Sequence, residues 1–236
     1  MASTQRSANQ LLQALPAAEL EILLPRLGSV ELVKETVLVE AGGLLTHVYL
    51  PHSGAISMMV RLSEGQSIEV ATVGRDSVFG AAAALDGGIS LTDAVVVLPG
   101  TASTLDAADF RAIAGRSAAF RTALARHEQA VLALAQQSAA CNASHSVEAR
   151  LSRWLLRARD LYDGETLPLT QESLAQMIGV QRNAISIVAH ALQQAGIIRY
   201  SRGHIDITNV DGLRESACEC YRAVKAHHHR LLNLPD

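Results

Sequence analysis

Between residues 30 and 105, short apolar runs rich in branched side chains alternate with turns that carry glycine. Residues 37–39 precede Gly42 and Gly43, residues 47–50 precede Ser53 and Gly54, and residues 55–62 precede Glu64 and Gly65. Residues 67–73 then precede Gly74, and residues 95–98 precede Pro99 and Gly100. Closely spaced short strands of this kind predict an antiparallel double-sheet roll or sandwich. Ahead of it, Leu11, Leu12, Leu15, Leu20, Leu23, Leu24 and Leu27, with Pro16 among them, predict two short helices packed on the roll. From Asp109 the period becomes helical. Phe120, Leu124, His127, Val131, Leu134, Ser138 and Cys141 step by four and three. That heptad stripe predicts a long helix that pairs with its copy in a second chain, the polar His127 and Ser138 fixing the register. Packing of the stripe on its own domain is the alternative.

A further helix over 149–160 places Leu151, Trp154, Leu155 and Ala158 on one face, with Arg150, Arg153, Arg157 and Arg159 largely outside it. After a turn at 162–165, Thr170 can cap a short helix over Gln171–Ile178, with Leu174, Met177 and Ile178 inside, and Gly179 permits a tight turn. The next helix, 182–195, carries Ile185, Val188, Ala189 and Leu192 at i, i+3, i+4 and i+7. Two short helices joined this tightly, the second keeping one face unused, make a helix-turn-helix.

The unused face is Arg182, Asn183, Ser186, Ile187 and His190. Arg182 can read guanine through two hydrogen bonds, Asn183 can read adenine, and Ile187 suits a thymine methyl; a merely solvated face is the alternative. Gly196 ends the helix, and strands over 197–200 and 204–207 around Ser201, Arg202 and Gly203 predict a β-hairpin wing. Arg199, Ser201, Arg202 and His204 there, with Thr170 and Gln181 at the helix starts, are candidates for phosphate contacts, which set register while the helix reads sequence.

Composition narrows the classes. A chain of 236 residues, 49% apolar and 18% charged, suits two modest domains or one large one and argues against disorder. No apolar run reaches the roughly 18–20 residues of a membrane span. Residues 1–9 show no basic stretch before an apolar core, so a cytoplasmic protein without a membrane partner is expected. Net charge is −3, yet residues 1–145 hold 9 Lys and Arg against 13 Asp and Glu, whereas 146–236 hold 11 against 10. The basic balance therefore lies with the helix-turn-helix. Three cysteines, Cys141, Cys218 and Cys220, are an odd number and argue against a disulfide framework. Cys218-Glu219-Cys220 lacks the CxxC spacing of a redox or zinc motif, so helical packing is its expected role and no metal site is expected. His227, His228 and His229 would point three ways on a helix and cannot share one ion.

Residues 170–182, TQESLAQMIGVQR, and 192–198, LQQAGII, resemble the helix-turn-helix of the Crp/Fnr family of bacterial transcription regulators, and the order of roll, long helix and winged helix is similar over nearly the whole chain. The resemblance implies an α+β fold: a cyclic-nucleotide-binding-like double-sheet β-roll over 1–108, a dimerisation helix over 109–145, and a winged helix-turn-helix with a C-terminal helix over 146–236. It implies a homodimer, not an enzyme, on a near-palindromic operator in double-stranded DNA, with RNA polymerase as a further partner. On the matching positions Arg182 and Asn183 are base readers. The founding member's pattern has Arg as a third reader where this chain has Ile187, so its operator should differ.

The effector site departs from the family. Its nucleotide pocket uses a Phe-Gly-Glu turn and an Arg-Ser/Thr-Ala run; here Phe79-Gly80-Ala81 and Thr92-Asp93-Ala94 stand instead. A cyclic phosphate facing Asp93 without an Arg would be desolvated unpaired, so cyclic AMP is not expected. No cysteine precedes Cys141, which argues against the N-terminal iron–sulfur cluster of the oxygen-sensing branch. Haem stays open because His47, His52, His127 and Cys141 exist, without a spacing that pairs any two. No cofactor is predicted. Two other classes compete: a cupin-type roll enzyme, which needs a His-x-His pair absent before the long helix, and a protein-binding regulatory module, for which the decorated helix and wing would be surplus.

Overall fold

The computed structural model describes residues 9–232; residues 1–8, most of the stretch read for targeting signals, lie outside them. Helices α1 (Gln10–Ala14) and α2 (Ala17–Leu23) break at Pro16. Asn9 caps α1, its Oδ1 accepting from the Leu12 amide at 3.2 Å, while its own side-chain amide donates to the Pro51 and Ser77 carbonyls at 2.9 Å each. The residue that starts the helix thus also fastens it to the roll, whose core Leu11, Leu12, Leu15 and Leu23 help fill.

The roll runs β1 (Gly28–Leu32), β2 (Val37–Val39), β3 (His47–Pro51), β4 (Ala55–Arg61), β5 (Ser67–Val73), α3 (Ala81–Leu85), β6 (Asp93–Leu98) and β7 (Gly100–Asp106). These strands pair antiparallel as β1-β7-β3 and β2-β6-β4-β5, the two sheets expected. α4 (Ala107–Arg116) ends at Ser117, whose hydroxyl caps the next helix by accepting from the Phe120 amide at 2.9 Å. α5 (Ala118–Ser144) then runs for 27 residues, so the helix expected from 109 is two. The chain continues as α6 (Val147–Leu161), β8 (Thr166–Leu167), α7 (Gln171–Ile178), α8 (Arg182–Gln194), β9 (Ile198–Ser201), β10 (His204–Ile207), α9 (Val210–Ser216) and α10 (Cys220–Leu232).

The heptad stripe of α5 turns inward, which corrects its assignment as a dimer seam. Phe120 and Leu124 enter the roll core, Leu134 packs with Ala71 and Val224, and Cys141 packs with Cys218 and Cys220. His127 is buried and hydrogen-bonded to the roll, and Val131 and Ser138 are half-buried along the same line. The spacing is that of a helix with one apolar partner; the partner is this chain's own roll and α10. The face left in solvent is Ala118, Thr122, Ala125, Gln129, Leu132, Gln136, Ala139 and Ala143, again stepping by four and three.

α6 is buried on two sides. Leu151, Trp154, Leu155 and Leu161 share a second core with Ala55, Val97 and Leu98 of the roll, so the boundary drawn at 146 is not a packing boundary. Gly74 lies at the contact, where a Cβ would run into Leu161. Arg150 and Arg157, expected outside, are drawn in because each finds an acceptor. Arg157 grips Asp76 with both terminal nitrogens, Nη2 to Oδ1 at 2.8 Å, and Arg150 donates to the Ile178 carbonyl. Trp154 Nε1 donates to Glu69 at 2.8 Å, and Arg75 donates to the Leu161 carbonyl at 3.2 Å and to Asp163. Burial works against the Asp76 carboxylate, but the Arg157 charge and its hydrogen bonds outweigh it and hold the group well below the usual carboxylate range.

Asp76→Ala is expected to lower the unfolding free energy by about 3–5 kcal/mol, the range for orphaning one member of a buried pair, read from urea midpoints at pH 7. A loss under about 1 kcal/mol, the worth of a surface pair, would contradict the buried reading. His228 lies in the same network, 3.8 Å from Asp76. Burial depresses its imidazole, with Arg157 and His127 adding to the shift and Asp76 opposing it. The unfolded chain then binds the proton first, so its stabilisation is complete above about pH 6.5 and falls as pH drops through that value. His228→Gln is expected to flatten the decline in urea midpoint between pH 7 and 5 relative to the unaltered protein.

Candidate nucleic-acid interface

α7 begins with a reciprocal cap: the Thr170 hydroxyl accepts from the Ser173 amide at 3.0 Å, and Ser173 Oγ accepts from the Thr170 amide at 3.0 Å. Gly179, at φ 68°, ends it in the left-handed region and aims α8 across it. Leu174 and Ile178 of α7 share a core with Ile185, Ala189 and Leu192 of α8. The remaining face of α8 is open. Arg182, Asn183, Ile187 and His190 are exposed, while Ser186 is half-buried and donates to Gln171 Oε1 at 2.6 Å. A single exposed isoleucine is ordinary on a protein surface. Ile187, 72% exposed, sits instead among the donors Arg182, Asn183 and His190, the mixture that reading base edges and a thymine methyl requires.

The wing is a tighter hairpin than expected. Arg202 (φ 45°) and Gly203 (φ 81°) form a two-residue turn between β9 and β10, with both φ values positive as a type I′ connection demands. β8 adds a third strand, Leu167 opposite Ile205, that the sequence pattern did not reveal because two residues carry no periodicity. Ser201, Arg202 and His204 are exposed at the tip. Arg199 is exposed but already paired with Asp206, Nε to Oδ2 at 2.9 Å, and Asp206 also accepts from Thr166 at 2.5 Å. The Thr166 and Arg199 hydrogen bonds hold the Asp206 carboxyl below its ordinary value. Arg202 has no ion-pair partner among the described residues, so its guanidinium is not committed to a carboxylate as that of Arg199 is. Gln181 is exposed at the start of α8 with its side chain outside the cap, whereas the Thr170 hydroxyl is spent in one.

The turn joining β4 to β5 approaches this reader. Glu64, Gln66 and Ile68 face Glu172, Gln181 and Arg182 across a cleft of about 540 Å³. The same two strands, through Met58 in the middle of β4 and Val73 at the far end of β5, line a separate cavity of about 360 Å³ between the roll and α5. Phe79, Gly80, Ala81 and Thr92 line it as expected. Asp93 does not: its carboxylate accepts from Arg61 at 2.9 Å and from the Ala41 amide at 2.8 Å. Asp93 opens β6 with its carboxylate held in those two bonds, while Thr92, in the bend before the strand, lines the cavity. The acids that do face it are Asp86 and Glu128, and no Arg or Lys joins them among the described residues.

His127 closes the cavity wall. Its Nε2 lies 3.1 Å from the Val78 amide and 2.7 Å from Ser77 Oγ. An amide can only donate, so Nε2 accepts and the ring proton sits on Nδ1, toward Glu128 at 3.3 Å. His47 bonds to Thr46 and His52 to Ser103, and neither joins His127 at the cavity. The four haem-ligand candidates are therefore not brought together.

Two family models match the chain: Cyclic nucleotide-binding domain over residues 29–117 and Crp-like helix-turn-helix domain over 149–216. No curated protein matches it significantly. Among solved structures, FixK2 from Bradyrhizobium japonicum is similar at a TM-score of 0.68 and 17% identity, over 81% of this chain and 98% of that one. A Crp/Fnr-family transcriptional regulator from Thermus thermophilus is similar at 0.66 and 22%, over 80% and 98%. The c-di-GMP-responsive global regulator CLP of Xanthomonas campestris gives 0.63 and 15%, over 81% and 99%. At these identities the likeness is one of fold. Among the described residues no helix is long and apolar enough to cross a membrane. Both domain models fall in the order that the sequence resemblance implied, and the chain therefore belongs to the Crp/Fnr family of transcription regulators, with the helix-turn-helix as its DNA-binding domain.

Proposed function

We propose that the protein acts in the cytoplasm as a homodimer on a near-palindromic operator, α8 of each chain in the major groove and the wing on the flanking phosphates, in the service of RNA polymerase. The observation that carries this is the open face of α8, where Arg182, Asn183 and His190 surround an exposed Ile187. Contact between chains falls to the solvent face of α5, with Ala125, Ala139 and Ala143 allowing close approach and Leu132, 57% exposed, as the large apolar contact. The α5 cavity is not a cyclic AMP site, because a phosphate there would meet Asp86 and Glu128 without a cation; it suits an uncharged or cationic ligand. β4 and β5 supply a route from it to the reader, since Met58 and Val73 line the cavity while the turn joining the two strands and the start of β5 face Gln181 and Arg182.

Fluorescence anisotropy with random duplex, then with sites selected from it, tests the reading. Binding that weakens steeply with added salt is expected, and no binding at low salt would contradict it. On a selected site Arg182→Ala is expected to cost about 1–3 kcal/mol and relax one base position, whereas Arg202→Ala should weaken all sequences alike and lower the salt slope by about one. Sedimentation separates the two faces of α5. Leu132→Asp is expected to yield folded monomers, and Leu134→Asp, which strikes the packing on Ala71 and Val224, to lower stability.

A further inference from the structure

Where α5 hands over to α6, four soft donors converge. Cys141 lies in the last turn of α5, His145 is its cap residue, and Cys218 and Cys220 flank Glu219 between α9 and α10. The expectation of helical packing for the last pair fails at Cys218, which stands outside both helices. Their three sulfurs and one imidazole nitrogen all lie within 4.8 Å of one another. Cys141 and Cys218 Sγ are 3.6 Å apart, and Cys220 Sγ is 3.6 Å from His145 Nδ1. A tetrahedral ion with bonds of about 2.3 Å to sulfur and 2.0–2.1 Å to nitrogen would set these edges at about 3.5–3.8 Å. From this geometry we propose that Cys141, His145, Cys218 and Cys220 bind one zinc ion per chain.

The surroundings are those of a metal site. His145 presents Nδ1 to the cluster while its Nε2 lies 3.3 Å from Glu219 Oε1, the carboxylate–imidazole arrangement that orients a metal-bound histidine. Gln137 donates to Cys220 Sγ at 3.0 Å, a hydrogen bond that steadies a thiolate. All three cysteines are buried, and four protein donors leave no open position, so the site is closed and structural in type. Three thiolates sharing one divalent ion leave a single negative charge, and Arg150 and Arg153 stand near enough to Cys141 to offset it. Loading releases three thiol protons to solvent and needs no oxidant or reductant. The bound ion ties α10 to the end of α5, at the joint where the roll meets the reader. This inference is independent of the DNA reading.

The test is elemental analysis of the full chain purified in reducing buffer without chelator, followed by cobalt(II) replacement. About one zinc per chain is expected, with cobalt giving thiolate charge-transfer bands and the visible spectrum of a tetrahedral site. Cys220→Ser combined with His145→Asn is expected to abolish both, and Glu219→Gln to weaken zinc about 10–100-fold in a competition titration. If the double variant does not fold, the cobalt spectrum of the unaltered chain decides. Absence of zinc together with no thiolate–cobalt band would overturn the proposal. So would metal-free protein whose unreduced mass is lower by two hydrogen atoms, with Cys141 joined to Cys218 as a disulfide.

Discussion

Asp76 and Arg157 form a two-toothed ion pair between the turn that follows β5 and the helix that carries the reader, and much of the molecule is arranged around it. A carboxylate this deeply buried has to be paired, and its partner sits on a helix whose other face already packs on the reader's core. The pair therefore fixes where α6 lies, and α6 fixes α7, α8 and the wing. Trp154 on Glu69, Arg75 on the Leu161 carbonyl and the bare backbone of Gly74 then hold that placement at close range. Roll and reader are consequently two sequence domains that share one packing unit.

Elements with strong periodicity were legible in the chain. The two N-terminal helices, most of the roll strands, the helix-turn-helix and the wing stand where the pattern of apolar residues puts them. β8 escaped because it has two residues, and β1 and β7 because their runs GSVEL and GTASTLD hold few large apolar residues. The heptad stripe of α5 predicts an apolar partner, which exists, but the partner lies within the chain, since spacing records that a helix has a partner without saying whose surface it is. Arg150 and Arg157 were placed outside because a helical wheel sorts residues by polarity, and nothing local marks an arginine whose carboxylate partner lies far along the chain. The motif places Asp93 at the cavity, but its carboxylate is taken by Arg61 and the Ala41 amide, partners that no local spacing marks. The convergence of Cys141 and His145 with Cys218 and Cys220 was likewise out of reach of spacing, because the fold brings together two separate segments.

The cavity keeps the shape of a nucleotide-binding roll without its chemistry. Its wall is acidic and apolar, beside a histidine whose acceptor nitrogen is already used. Its position still matters, because the turn joining the strands that line it lies beside the first residues of the recognition helix. Any change that shifts β4 and β5 must be accommodated at α7 and α8, given the fixed hold of α6 on the same sheet.

That account makes one claim above the others, that roll and reader unfold together. Scanning calorimetry of the intact chain tests it most directly. A single transition whose calorimetric and van 't Hoff enthalpies agree is the expected result. Two resolved transitions, one for the roll and one for the helix-turn-helix, would contradict it.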